Sequence, residues 1–160
     1  MAAVLLSLGS NLYPMDHLRA AGKALRERFG DIVASATYRV PAVGFDGPDF
    51  LNSGVMLETD AGPEWLRGWL HALEDGHGRD RSGPRHGDRT LDIDLVFYGD
   101  RIIDGPGSLR VPRPELKHAF VLMPLAEIAP DFIDPGSGRS LGDLWRAHPQ
   151  YGNAFERVEI

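Results

Sequence analysis

The chain has 160 residues, 42% of them hydrophobic and 25% charged, which is the make-up of one ordinary globular domain with a core large enough to need no staples. The absence of Cys excludes a disulfide scaffold, a thiolate metal site and a Cys nucleophile. A net charge of −6 argues against a nucleic-acid backbone or an anionic membrane as the main partner.

Val4 to Leu8 is a short apolar run ending in the turn cluster Gly9-Ser10-Asn11. It has no basic flank and is too short for a signal peptide or a bilayer span, so it reads as a buried strand of a cytoplasmic protein. Pro14 opens a helix from about Met15 to Phe29, with Leu18, Gly22, Leu25 and Phe29 on one face and Gly30 as its stop. Asp31 to Val40 is rich in strand formers, and Pro41 to Pro48 is a loop. Phe50 to Thr59 alternates, with Leu51, Ser53, Val55 and Leu57 on one face and Asn52, Gly54, Met56 and Glu58 on the other. A second helix begins near Pro63-Glu64 and ends around Asp75-Gly76, with an apolar stripe at Leu66, Trp69, Leu70 and Leu73. The Gly- and Arg-rich segment Gly76 to Arg89 reads as a mobile loop. After it, Thr90 to Tyr98 alternates again, with Leu91, Ile93, Leu95 and Phe97 as its apolar face. A short strand at Ile102-Ile103, a Pro-rich link at Val111-Pro112-Arg113-Pro114 and helical stretches at Ala119–Ile128 and Leu141–His148 complete the chain. The order β-α-β-β-α-β predicts a single α+β domain over residues 1–160 with a ferredoxin-like core: an antiparallel sheet with helices packed on one face, extended at the C-terminus by short helices.

The chemistry concentrates in Arg89-Thr90-Leu91-Asp92-Ile93-Asp94. On a strand, Asp92 and Asp94 project from the same face about 7 Å apart. Two like charges that close repel unless a cation sits between them, and hard oxygen ligands suit Mg²⁺. An isolated D-x-D is equally well a solvated acidic face. Upstream, however, Arg79, Arg81, Arg85 and Arg89 fall within eleven residues of a chain that has only 17 Lys and Arg in all. Guanidinium forks beside a metal-binding pair suit a polyphosphate between them. No P-loop, no dinucleotide-binding glycine motif, no zinc-ligand His spacing and no nucleophile elbow occurs. The loop Val40-Pro41-Ala42-Val43-Gly44 and the run Asp49-Phe50-Leu51-Asn52 are suited to framing a flat heterocycle. Phe50 would offer a stacking face, Asn52 a donor and an acceptor, and Phe120 a second face. Taken singly, each of these reads more readily as a core or turn residue than as a ligand contact.

Several ordered segments resemble the 6-hydroxymethyl-7,8-dihydropterin pyrophosphokinase family of the folate pathway. They are Leu8-Gly9-Ser10-Asn11-Leu12, Tyr38-Arg39-Val40-Pro41, Phe50-Leu51-Asn52, Glu74 with Gly78-Arg79, the signature Arg89 to Asp94, and Phe120-Val121-Leu122 through Glu127-Ile128-Ala129-Pro130. The resemblance implies transfer of the β,γ-pyrophosphoryl unit of ATP to the pterin hydroxymethyl oxygen, with release of AMP. It implies that Asp92 and Asp94 bind two Mg²⁺ ions, with Arg79 and Arg89 assisting the transfer. Arg81, Arg85 and His86 match positions that close over ATP, and His71 and Glu74 match nucleotide contacts. Phe50 and Phe120 match the aromatic pair around the pterin, with Asn52 and the backbone of Val40, Pro41 and Val43 at its edge. One stretch departs from the family. Arg113 stands where His is usual, His118 stands where Arg is usual, and the segment is one residue shorter; Arg113 and Lys117 then keep positive charge near the ATP phosphates. ATP and the reduced pterin are the expected partners of a monomer that binds no nucleic acid and no membrane.

Two rival readings fit the sequence less well. A nucleotidyltransferase of the polymerase-β type keeps Gly-Ser and D-x-D close in sequence, whereas Ser10 and Asp92 are 82 positions apart. A ferredoxin-like RNA-binding module wants basic and aromatic residues on its sheet, where this chain has Asp92, Asp94 and Glu58.

Overall fold

The computed structural model describes residues 1–42, 44–78, 90–107 and 109–160. Its element order is β1 (Ala2–Ser10), α1 (Pro14–Phe29), β2 (Val33–Ala34), β3 (Thr37–Val40), β4 (Phe50–Thr59), α2 (Pro63–Gly76), β5 (Asp92–Tyr98), β6 (Ile103–Asp104), β7 (Arg110–Val111), a 3₁₀ turn (Pro114–Lys117), α3 (Ala119–Ile128), α4 (Leu141–Arg146) and β8 (Glu156–Val158). The fold is α+β. Its main sheet runs β5-β1-β4-β3-β8 with β2 also on β4, every pair antiparallel, and β6 and β7 form a separate ribbon. No helix among the described residues is long and apolar enough to cross a membrane.

Alternation along the strands gives the sheet two apolar faces. Val4, Leu6 and Leu8 of β1, Leu51, Val55 and Leu57 of β4, and Ile93 and Leu95 of β5 pack under α1 and α2. From α1 come Leu18, Ala21 and Leu25, so the core face runs through Ala21 rather than the expected Gly22. From α2 come Leu66 and Leu70, with Trp69 and Leu73 partly buried beside them, as the stripe predicted. Each fully buried Leu is worth about 1.5–3 kcal/mol relative to exposure, which outweighs the weak intrinsic stability of helices this short.

The opposite face holds a second core. Leu5, Met56, Val96 and Phe97 meet Val121, Leu122, Leu125 and Ala126 of α3, with Leu141, Leu144 and Trp145 of α4 outside them. The expected C-terminal extension is therefore a second helical layer on the other side of the sheet. Phe97 departs from its expected face for a local reason. Leu5 pairs with Phe97 and Leu6 with Leu95, leaving Val96 as an extra residue. That bulge turns Phe97 into the second core.

Two further differences bear on the site. β1 continues through Gly9 and Ser10, which pair with Asn52 and Leu51, instead of turning at Gly9. The strand expected over Asp31–Val40 is broken at Ser35 and Ala36. There the Ser35 hydroxyl accepts the Gly54 N–H at 2.8 Å, and Ala36 N–H donates to Glu127 Oε2 at 2.8 Å.

Candidate active site

Because Ile93 and Leu95 point into the first core, Asp92 and Asp94 point to the other face, beyond the end of α3. Register then decides their neighbours. Asp92 pairs with Gly9, Gly9 with Asn52, and Asn52 with Tyr38, forming one row across four strands. Asp94, Ser7 and Gly54 form the next row. Asp92 and Asn52 are thus two strand spacings apart, about 9–10 Å. Gly9 between them is necessary: a Cβ there would sit 2.7 Å from Asn52 Oδ1. The Asn52 amide therefore lies over Gly9, on the side toward Asp92.

The acidic pair is electrostatically loaded. Asp94 is raised well above the usual carboxylate range, first by burial and then by the charge of Asp92, with smaller contributions from Glu115 and Glu74. Arg113 opposes this from 3.8 Å, Nε to Asp94 Oδ1, and also pairs with Glu115 Oε2 at 3.2 Å. Burial pulls Arg113 down, but Asp94 and Glu115 outweigh it, and its guanidinium is held more firmly protonated than usual. Burial pushes Glu115 up, but hydrogen bonds and the Arg113 charge bring it below its ordinary value. Arg113 is held in this position by its backbone N–H, which donates to Val96 O of β5 at 3.2 Å. Beside the pair is a cavity of about 300 Å³ between α2 and β5. Arg67, His71 and Glu74 line it at helical spacing, facing Asp92, Asp94, Leu109 and Arg113.

On the far side of Gly9 the surface is aromatic. Phe50, half-buried, meets Phe45 edge-on at 6.2 Å, and Asn11 Nδ2 donates to Pro48 O at 3.1 Å, tying the end of β1 to the segment before Phe50. Val40 pairs with Phe50. Phe120 opens α3, and His118 stacks on it with ring centres 4.9 Å apart and 9° between planes. Burial first, then the Lys117 charge, lowers His118, so its ring is neutral at pH 7.

Residues 5–130 match the family profile of 7,8-dihydro-6-hydroxymethylpterin-pyrophosphokinase (HPPK). The chain belongs to the HPPK family. A 2-amino-4-hydroxy-6-hydroxymethyldihydropteridine pyrophosphokinase of Synechocystis sp. is 41% identical over 143 residues, covering 87% of this chain and 72% of that protein. One from Pseudomonas aeruginosa is 39% identical over 162 residues, covering 98% and 94%. Among solved structures, Plasmodium falciparum HPPK-DHPS superposes with a TM-score of 0.69 at 12% identity, and supports the fold alone. The alignment covers 91% of this chain but 40% of that longer one. Its activity is that of the family, transfer of the pyrophosphoryl group of ATP to hydroxymethyldihydropterin in folate synthesis.

The HPPK residues expected from sequence fall into three groups. Asp92, Asp94, His71, Glu74 and Arg113 converge on the cavity. Val40, Phe50, Asn52 and Phe120 belong to the aromatic side, with Pro41 exposed next to Val40. Arg79, Arg81, Arg85, His86, Arg89 and Val43 lie outside the described residues. Glu74 is 2% exposed and accepts the Ile93 N–H at 2.8 Å, so one of its oxygens anchors α2 to β5. Lys117 is exposed, and its carbonyl meets His148 Nε2 at 2.8 Å. Sequence reasoning missed Arg67, although it stands four residues before His71 and seven before Glu74 on one helix. It also missed Gly9, whose role depends on a partner 43 residues away.

Proposed function

We propose that Asp92 and Asp94 hold two Mg²⁺ ions, that ATP occupies the cavity between α2 and β5, and that the pterin lies between Phe50 and Phe120 with its edge on Asn52. The observation that carries this reading is the row Asp92, Gly9, Asn52. It puts an edge-reading amide two strands from the acidic pair, with only a glycine between, so that a hydroxymethyl group held by one side faces phosphates held by the other. The donor set suits the metal. Two hard carboxylates on one face leave room for water and phosphate oxygens, as Mg²⁺ prefers. The raised pKa of Asp94 also reflects negative charge that a cation would relieve.

When bound, Mg²⁺ supplies charge neutralisation to the phosphoryl oxygens. The protein's own groups do the rest. Arg113, oriented by Glu115, presents its fork to the polyphosphate, and Lys117 adds charge at the rim. His71 and Glu74 line the nucleoside part of the cavity. Asn52 and the backbone of Val40, Pro41 and Val43 orient the pterin ring between Phe50 and Phe120. Arg79, Arg81, Arg85, His86 and Arg89 take the remaining phosphate side on the strength of the family resemblance alone, and neutral His118 belongs nearer to Phe120 than a phosphate-binding Arg would. The β1-α1-β3-β4-α2-β5 core is ferredoxin-like, and the chain acts as a single domain and a monomer.

Kinetics separate the two halves of the site. Chelating Mg²⁺ should abolish pterin-dependent AMP formation, and Asp92→Ala should lower turnover at least about a hundredfold. Asn52→Ala should raise the KM for the pterin and leave that for ATP unchanged. Turnover within a few-fold of wild type in Asp92→Ala would remove the metal assignment.

A further inference from the structure

We propose that Glu127 is a positioning residue that sets the width of the pterin slot by tying the helix that carries Phe120 to the strand that leads into Val40. The proposal rests on the pterin reading above.

Glu127 lies in the last turn of α3, where the helix dipole disfavours an acidic side chain and no basic residue compensates. Its carboxylate is fully engaged elsewhere. Oε1 accepts the Tyr38 hydroxyl, and Oε2 accepts the Ala36 N–H at 2.8 Å, at the break between β2 and β3. Arg157 Nη2 of β8 approaches the same Oε1 at 3.8 Å and lies over the Tyr38 ring, 5.8 Å from its centre. Burial, followed by the hydrogen bond to Glu127 and its charge, raises the Tyr38 phenol, which therefore remains a donor across neutral pH.

The two elements so joined carry opposite walls of the slot. Phe120 is seven residues before Glu127 on the same helix, about 10 Å along its axis. Tyr38 pairs with Asn52, and two residues later Val40 pairs with Phe50. Between these points α3 touches the sheet at Gly54, where a Cβ would fall 2.8 Å from the Leu125 side chain and 3.2 Å from Leu125 N. Gly54 acts as the pivot. The Glu127 carboxylate holds one end of the helix, and through the pivot fixes how far Phe120 stands from Phe50 and Asn52 at the other. Without it α3 can rock on Gly54, and a stacking slot is sensitive to shifts of a fraction of an ångström.

The test is steady-state kinetics with 6-hydroxymethyl-7,8-dihydropterin and ATP varied separately, on Glu127→Ala, Glu127→Gln, Tyr38→Phe and Asn52→Ala. Glu127→Ala should raise the pterin KM about tenfold, with the ATP KM and the kcat at saturating pterin within about twofold of wild type. Glu127→Gln, whose single amide oxygen can accept from the Tyr38 hydroxyl or from the Ala36 N–H but not from both, should recover part of the loss. Tyr38→Phe, which removes one hydroxyl and little packing, should raise the pterin KM about threefold, and it decides the matter if Glu127→Ala does not fold. A pterin KM unchanged in the Glu127 and Tyr38 variants but raised in Asn52→Ala overturns the positioning role and leaves the slot. A pterin KM unchanged in Asn52→Ala as well removes the slot assignment and the proposal with it. Equal losses in both KM values and kcat, with no rescue by Gln, mean that Glu127 only stabilises the fold.

Discussion

The two faces of the sheet differ in how far their helices cover them. Toward α1 and α2 the strands β1, β4 and β5 bury an almost continuous apolar surface, Val4, Leu6, Leu8, Leu51, Val55, Leu57, Ile93 and Leu95, interrupted by the small buried Ser53. Toward α3 and α4 the same strands are apolar only at one end, through Leu5, Met56, Val96 and Phe97. At the other end they present Ser7, Gly9, Asn52, Asp92 and Asp94. One face is spent on stability. The other is divided between a core that anchors α3 and a polar strip that α3 leaves open, and the strip is the site. The division has an energetic cost, visible in Asp94: the carboxylate that serves the chemistry is held against burial and a like charge.

Substitutions on the two faces should therefore separate activity from stability. The largest effect belongs to the strip. Asp94→Asn should lower turnover at least about a hundredfold. In chelator, the same variant should melt higher than wild type at neutral pH. The sign follows from the raised folded-state pKa: its contribution to stability is complete below the ordinary carboxylate value of about 4 and is lost as the pH rises through the folded value. The metal-free wild type should accordingly gain stability from this group as the pH falls from neutral, and Asp94→Asn should lack that gain. Thermal melts across pH check both statements, and a variant that melts lower at neutral pH would contradict the assigned strain.

On the covered face, Leu6→Ala should cost about 2–5 kcal/mol in urea unfolding, with both KM values unchanged in the folded fraction. Gly54→Ala lies at the boundary. Its new methyl meets the backbone of α3, which cannot step aside as a side-chain tip can. It should cost about 1–3 kcal/mol and also raise the pterin KM, because it lifts the helix that carries Phe120. The smallest effect is expected at Ser140, whose Oγ caps α4 by accepting the Asp143 N–H at 3.1 Å. Ser140→Ala should lose about 1 kcal/mol without altering kinetics, since α4 packs outside α3 in the second core.

Legibility in the sequence followed the range of the forces involved. Helices α1 and α2 and strands β1, β4 and β5 were readable because a face is a local property: side chains repeat every 3.6 or 2 residues whatever the rest of the chain does. The short elements β2, β3, β7 and β8 were blurred or invisible, since two to four residues carry no period. α3 was legible as a helix but not in its placement, because its apolar residues surround it and announce no face. The bulge at Val96 was hidden for a related reason: one extra residue changes the face of Phe97 without changing the composition of the strand.

The same distinction applies to the site. The sequence alone determined that two carboxylates share one face of β5, that an arginine-rich segment precedes them, and that the ordered motifs resemble one enzyme family. Tertiary structure decided which residues meet. Asn52 stands beside Asp92 only because two strands register on Gly9 between them. Arg113 reaches Asp94 only because the link after β7 returns over β5. Glu127 finds Tyr38 across 89 residues because α3 packs onto Gly54. Periodicity is written into the backbone geometry of each element. Register and crossing are set by the packing of segments tens of residues apart, and no local pattern encodes them.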